Sequence, residues 1–441
     1  MNRDRPRAAR RPSTLSVLLP AILLIAGLLP TAAAADDHRD AVVVFTGATL
    51  HPVDRPPIED GALVVRGTDI AFAGARADLP TDLPADARRI ALDGKHLYPG
   101  FIHVASELGL IEINSVRGSV DTDEIGEVRS DLRARSAYNA DSLLISAARV
   151  GGIVAAHVRQ SGGMLPGVST VLRTAGWNWD DATVRAETAM QLQFPTVSSP
   201  SNAGDEAGSS ARVMLLNEVF DAARSTAAAD NAPPPRNRRL AALAPVLDGR
   251  LALHVAAYGR WTIGAALDWL EAQALTANAV LISTPAAAAY AERLAALGIP
   301  VILDGVLAEP DLRDLPYDDA YTAAARLHEA GVAIAIGNGG SASDARNVPF
   351  NAAMAAAFGL PKDVALRSVT LSAAEILGVA DRLGSLTAGK EASFLVTDGD
   401  PLEIVTRIEQ VWIAGAPVDF TTDHQLRLYE RYRNRPAPAA P

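Results

Sequence analysis

From residue 100 to residue 384 the chain repeats one pattern, and that repeat limits the possible folds more than any other feature. Strand-type runs at Ile153–Val158, Leu251–Val255, Val280–Ser283, Pro300–Leu303 and Val332–Ile336 alternate with alanine-rich helical patterns such as Ile263–Gln273, Ala286–Leu297 and Ala320–Ala330. Strands joined through helices lie parallel, and this many βα units favour a closed barrel over an open sheet. The flanks read differently. Val42–Phe45 is a β-branched run ending at Thr46-Gly47, and Gly61–Val65 and Ile70–Phe72 flank Arg66-Gly67-Thr68-Asp69 as a hairpin. Ile90–Leu92 leads into the turn Asp93-Gly94-Lys95, and short strands return at Phe394–Val396 and Val411–Ile413. The expected fold is α/β: a TIM-type (β/α)8 barrel over residues 96–384, with a small β-sandwich built from residues 36–95 and 385–430.

The first 35 residues read as an export signal rather than as part of the fold. Arg3, Arg5, Arg7, Arg10 and Arg11 precede an apolar run from Leu15 to Leu29, and Ala32–Ala35 supply the small residues of a cleavage site. The run is broken by Ser16, Pro20 and Gly27 and is short for a membrane span. Cleavage would remove five arginines and Asp4, taking the formal charge from −11 to −15. So acidic a chain argues against nucleic acid or an anionic membrane as partner. No cysteine occurs, which excludes disulfides, thiolate catalysis and a lipidated cysteine anchor. A periplasmic or secreted protein is the expectation. Ser198–Ser210 and Ala227–Arg238 read as disordered or lid-like, and the Pro/Ala-rich tail 431–441 as loose.

Several segments resemble the amidohydrolase superfamily, in particular its exported branch related to imidazolonepropionase and dipeptide-cleaving enzymes. Ala365–Leu371, Ala374–Val379, Asp381–Leu386, Ala388–Val396 and Asp398–Leu402 are similar to that family's exit from the last barrel helix, and Tyr98–Ile102 to its entry into the first barrel strand. The resemblance implies hydrolysis of a C–N bond by water activated on one or two divalent metals, zinc or another. It also implies an H-x-H pair ending the first strand, histidines ending the fifth and sixth, and an aspartate ending the eighth.

Only part of that set is present. Ala105 and Glu107 occupy the H-x-H positions, His254 keeps the fifth-strand histidine, Ser283-Thr284-Pro285 replaces the sixth-strand one, and Asn338-Gly339 stands where the aspartate belongs. No lysine lies between Lys95 and Lys362, so a bridging carbamylated lysine is excluded. Remnant metal candidates are His254 and Glu107; Ala105 and Gly339 cannot ligate. His103, Ala105 and Glu107 share one face of an extended strand, but four residues span about 13 Å, so His103 and Glu107 reach one ion only if the chain turns between them.

Catalytic candidates are His254, Glu107, Asp304 and His157; His157, His254 and Asp304, at the ends of the second, fifth and seventh strands, could form a cluster at the barrel end where sites of this fold lie. Arg159, Arg346 and Trp177 are the candidate ligand contacts; Trp179 and the acidic run Asp121–Asp131 have ordinary packing and solvation readings. Three functions follow. One is a hydrolase of amide or dipeptide C–N bonds with an altered or single-metal site. Another is a non-catalytic binder of a small molecule, and the third a supporting subunit in a homo- or hetero-oligomer with an active relative.

Overall fold

The computed structural model describes residues 41–198, 206–227, 237–310 and 312–435. The export signal expected over residues 1–35 lies outside the described residues, as do most of the two stretches read as lid-like and residues 436–441 of the tail. What is described of those stretches is ordered. Glu206–Ala227 is a helix whose Leu216, Val219, Phe220 and Ala223 recur at helical spacing and are buried. Arg238 opens a short helix on an Asn237 cap, whose Oδ1 accepts from the amides of Arg239 and Leu240. At the C-terminus, Arg431–Arg433 close the helix His424–Arg433.

The β domain comes from both ends of the described chain. Its strands are β1 (Val42–Leu50), β2 (Ile58–Arg66), β3 (Asp69–Ala75), β4 (Arg88–Ala91) and β5 (His96–Pro99), and the late strands β16 (Phe394–Thr397), β17 (Ile408–Ile413) and β18 (Ala416–Pro417). They form one sheet in the order β18-β17-β16-β5-β1-β2-β3, with β4 beside β1. Phe45 of β1 and Trp412 of β17 sit three strands apart in that order, which is about 14 Å in a flat sheet. Their rings are nevertheless 5.1 Å apart, and both meet Phe394. The sheet therefore coils over on itself, and Phe45, Phe394, Trp412, Leu63 and Leu97 fill the space between its layers.

Pro99-Gly100 leads directly into the barrel. Seven parallel strands form most of its wall: β6 (Phe101–Ser106), β7 (Ile153–Val158), β11 (Ala189–Gln193), β12 (Ala252–Ala256), β13 (Ala279–Ser283), β14 (Val301–Leu303) and β15 (Ile334–Ile336). Their runs of Val, Ile, Leu and Ala are buried on both faces, as parallel strands covered by helices must be.

The third stave departs from the all-parallel expectation. The segment Gly167–Arg173, read as β8 (Gly167–Val168) and β9 (Thr170–Arg173), pairs antiparallel with β11 on one side and with β7 on the other. Only eight residues separate β7 from β8, too few for a crossover helix. Gly162 and Gly163, at φ +73° and +66°, turn the chain back instead. A short strand β10 (Thr183–Arg185) pairs outside β9. Between the last stave and the first the closure is local: the Glu107 amide donates to Gly340 O at 3.3 Å, and His103 Nε2 lies 2.7 Å from Asn338 Oδ1.

The two parts are tied by a buried carboxylate. Glu391 accepts from Arg173 Nε and Nη2 at 2.9 and 2.6 Å, from Arg382 Nη2 at 3.2 Å and from Ser393 Oγ at 2.7 Å. Its side chain is 4% exposed. Arg173 belongs to the barrel wall and Ser393 leads into β16, so this one side chain fixes barrel to β domain.

Candidate functional site

A cavity of about 520 Å3 opens at the C-terminal ends of the barrel strands. Every wall comes from a segment following a strand: Glu107 and Glu112 after β6, Arg159 after β7, Tyr258 after β12, Thr284 after β13, Asp304 after β14 and Gly339–Ser343 after β15. That volume suits a small molecule, and this end of the barrel is where the architecture places its chemistry.

At the centre is a charged triad of side chains. Arg159 Nη2 donates to Tyr258 Oη at 3.3 Å, Tyr258 Oη donates to Asp304 Oδ2 at 3.2 Å, and Arg159 Nη2 lies 4.0 Å from Asp304 Oδ2. The Arg159 and Asp304 side chains are 6% and 7% exposed. Burial pulls the Arg159 pKa down, but Tyr258, Asp304 and Glu107 around it outweigh that and hold it above the ordinary arginine value. Burial pushes the Asp304 carboxyl up, against the opposing pull of Arg159, Tyr258 and the amides of Gly339 and Gly340. Arg159 Nε and Nη1, Asp304 Oδ1, Thr284 Oγ1 and Glu112 Oε2 are buried without a hydrogen-bond partner. Five unused polar atoms on residues lining one cavity leave this wall able to bind donors and acceptors on a ligand.

Below the triad lie three imidazoles with no exposed surface. His157 accepts from the Ala105 amide at Nδ1, 3.3 Å, and its Nε2 meets Ser169 Oγ at 2.8 Å, so both nitrogens are committed. Its ring packs edge-on to His254 with centroids 5.1 Å apart. His254 has neither nitrogen hydrogen-bonded, and His103 leaves Nδ1 unpartnered. Burial holds His103 down to about 4 and His254 to about 3, the latter helped by Arg159; burial, then His254, Arg159 and His103, lower His157 well below the ordinary value. All three are neutral at neutral pH.

The geometry sorts the candidates read from the sequence. His157 with His254, and Arg159 with Asp304, are brought together. The expected His157–His254–Asp304 cluster divides, because Asp304 is taken by Tyr258 and Arg159. The shared face of His103, Ala105 and Glu107 is also lost. Ala105 adopts a left-handed backbone at φ +53°, the pairing of β6 with β7 slips between His103 and Ser106, and β6 ends before Glu107. The chain does turn there, yet His103 faces Asn338 rather than Glu107. Trp177 is 92% exposed and lines no part of the cavity. Arg346 pairs with Gln425 of the C-terminal helix, and its Cβ packs against Gly151, so it too stands outside the cavity. Trp179 instead lies under the Arg135 guanidinium at 5.1 Å. Sequence reading missed Tyr258, Glu112 and Thr284. The only signal for them is position, each standing a few residues past a strand.

The fit of these residues to the family's divalent metal is poor. Among the described residues no three His, Asp or Glu side chains converge as a metal site. His157 has no lone pair to spare, and Arg159 already stands as a fixed positive charge close enough to depress both His157 and His254. A second cation beside that guanidinium would be repelled in a poorly solvated wall.

Residues 267–419 match the amidohydrolase family, from the helix after β12 through the last barrel strands into the β domain. A 72-residue stretch, 16% of this chain, is 43% identical to amidohydrolase tasK of Hapsidospora irregularis, and covers 7% of that protein's length. An amidohydrolase from Thermotoga maritima superposes with a TM-score of 0.75 at 21% identity, covering 86% of this chain and 99% of its own. An adenosine deaminase from Xanthomonas campestris, solved with bound zinc, gives 0.53 at 17% identity over 90% of this chain and 99% of its own. At such identities the solved structures establish the fold, a TIM-type barrel. The match to the amidohydrolase family thus covers the C-terminal part of the chain, and the TIM-type barrel fold of the solved amidohydrolases is shared across most of its length.

Proposed function

We propose that this chain is an exported amidohydrolase-fold protein that binds a small polar molecule at the barrel mouth and does not carry out two-metal hydrolysis. The observation behind this reading is the Arg159–Tyr258–Asp304 triad, which lines the cavity of about 520 Å3 with a permanent cation and unused hydrogen-bonding atoms. Asn338 supports it, since an amide beside His103 cannot take a proton from water near neutral pH. The basic, apolar and small-residue order of residues 1–35 supports export.

A second reading, hydrolysis of a C–N bond on a single metal, draws support from His254, whose two ring nitrogens have no partner. Elemental analysis of the purified chain and of its His254→Ala variant separates the two. The binding reading expects no metal that depends on His254, and thermal stabilisation by members of a small-molecule set that is lost in Arg159→Met. One equivalent of zinc that disappears in His254→Ala would sink it and justify an amide and dipeptide substrate screen.

A further inference from the structure

Away from the barrel mouth, two histidines meet on the β domain. His51 follows β1 and His96 opens β5, strands paired so that Thr49 stands opposite His96. His51 Nε2 and His96 Nδ1 are 3.1 Å apart, and both residues are half-buried. Tyr98 stacks on the His51 ring at 4.1 Å and 8°, fixing its plane. His51 lines a cavity of about 470 Å3 together with Tyr98, Asp400, Lys362 and Arg55. Nothing in the barrel chemistry uses this pair.

We propose that His51 and His96 chelate a late first-row divalent metal ion, with zinc as the test case. Two nitrogens each 2.0–2.1 Å from one zinc ion are about 3.3 Å apart at the tetrahedral angle, close to the separation already present. Imidazole ligates only when neutral. The proton that the two nitrogens share in their hydrogen bond moves to the other ring nitrogen on binding, which leaves both lone pairs to the ion. Asp400 acts on His51 electrostatically, and Asp54, Asp363 and Asp400 in the cavity wall outnumber Arg55 and Lys362, the latter 3.8 Å from Asp400. Among the described residues no third His, Asp or Glu completes a closed set, so the remaining positions go to water from the cavity. The result is a labile, exchangeable site. Nitrogen ligands select zinc, nickel or copper and reject magnesium and calcium, which need oxygen.

Equilibrium dialysis of the full chain against zinc at pH 7.5, with magnesium as control, tests this. The expected result is one equivalent of zinc in wild type and in His254→Ala, binding at least tenfold weaker in both His51→Gln and His96→Gln, and no magnesium uptake. Circular dichroism establishes that the glutamine variants fold, and zinc should raise the melting temperature of wild type but not theirs. Equal zinc uptake in the glutamine variants, or none in wild type, overturns the proposal. Uptake lost in His254→Ala but kept in the glutamine variants overturns it too, and moves the ion to the barrel mouth, which sinks the binding reading as well.

Discussion

His103 offers a quantitative test of how the barrel interior is built. It has no exposed surface, Nε2 bonds to Asn338, Nδ1 has no partner, and burial holds its pKa to about 4. Above pH 6.5 the imidazole is neutral in both folded and unfolded chains and gives no pH dependence. Below pH 6.5 the unfolded chain takes a proton that the fold refuses, so stability falls as pH falls. The loss continues down to about pH 4 and then levels. At ~1.36 kcal/mol per unit the full span amounts to roughly 3 kcal/mol, and about 2 kcal/mol has gone by pH 5. His254 adds a loss of the same sign. His103→Gln keeps an amide N–H for Asn338 and removes the titration. It should cost about 1 kcal/mol at pH 8 and then lose its disadvantage as the solution is acidified. Urea unfolding of both proteins from pH 8 to pH 5 measures this: the gap should close or reverse by about 2 kcal/mol. Parallel curves over that range would refute the assignment of a neutral, proton-refusing imidazole at the barrel wall.

Three further outcomes follow from named contacts. Glu391→Ala leaves Arg173 and Arg382 facing an empty buried site, and should lower stability by about 3–5 kcal/mol in thermal or denaturant melts, with Glu391→Gln less damaging. Arg159→Met and Asp304→Asn should each destabilise, while the double variant costs less than their sum by about 0.5–3 kcal/mol, a coupling that a double-mutant cycle reads directly. Gly415 sits at φ +78° with the Gly67 carbonyl oxygen 1.9 Å from where a Cβ would be, so Gly415→Ala should cost at least about 2 kcal/mol and loosen the edge of the β domain; an unchanged melt would contradict the turn geometry.

The barrel was legible because its signal is periodic and long. Ile153–Val158 is a strand over those same residues, and the other parallel runs shift by one or two positions at their ends. The antiparallel stave was not legible, because Gly167–Arg173 is short and its direction is set by a tight turn rather than by composition. The site was legible only in part. His157, Arg159, His254 and Asp304 could be placed from their strand ends, since a strand in a barrel fixes where its C-terminal residue goes. Glu112 and Tyr258 could not, because their loops are positioned by tertiary packing. Ala105 shows the same limit on a smaller scale: alternation predicts one face for residues 103, 105 and 107, and a single left-handed residue cancels it.

The coiled β sheet also dictates a schedule for folding. β5 and β16 are neighbours, with Pro99 opposite Phe394, although about 300 residues of barrel separate them in the chain. At roughly 5–20 residues per second a ribosome needs about 15–60 s to make that stretch. Throughout it the early strands carry Phe45, Leu63 and Leu97 with no second layer to cover them. The unpaired edge of β5 meanwhile offers its backbone to any other extended chain. The first part of the fold to be made is therefore among the last to close, and a chain of this topology depends on being kept from premature partners until its C-terminus arrives.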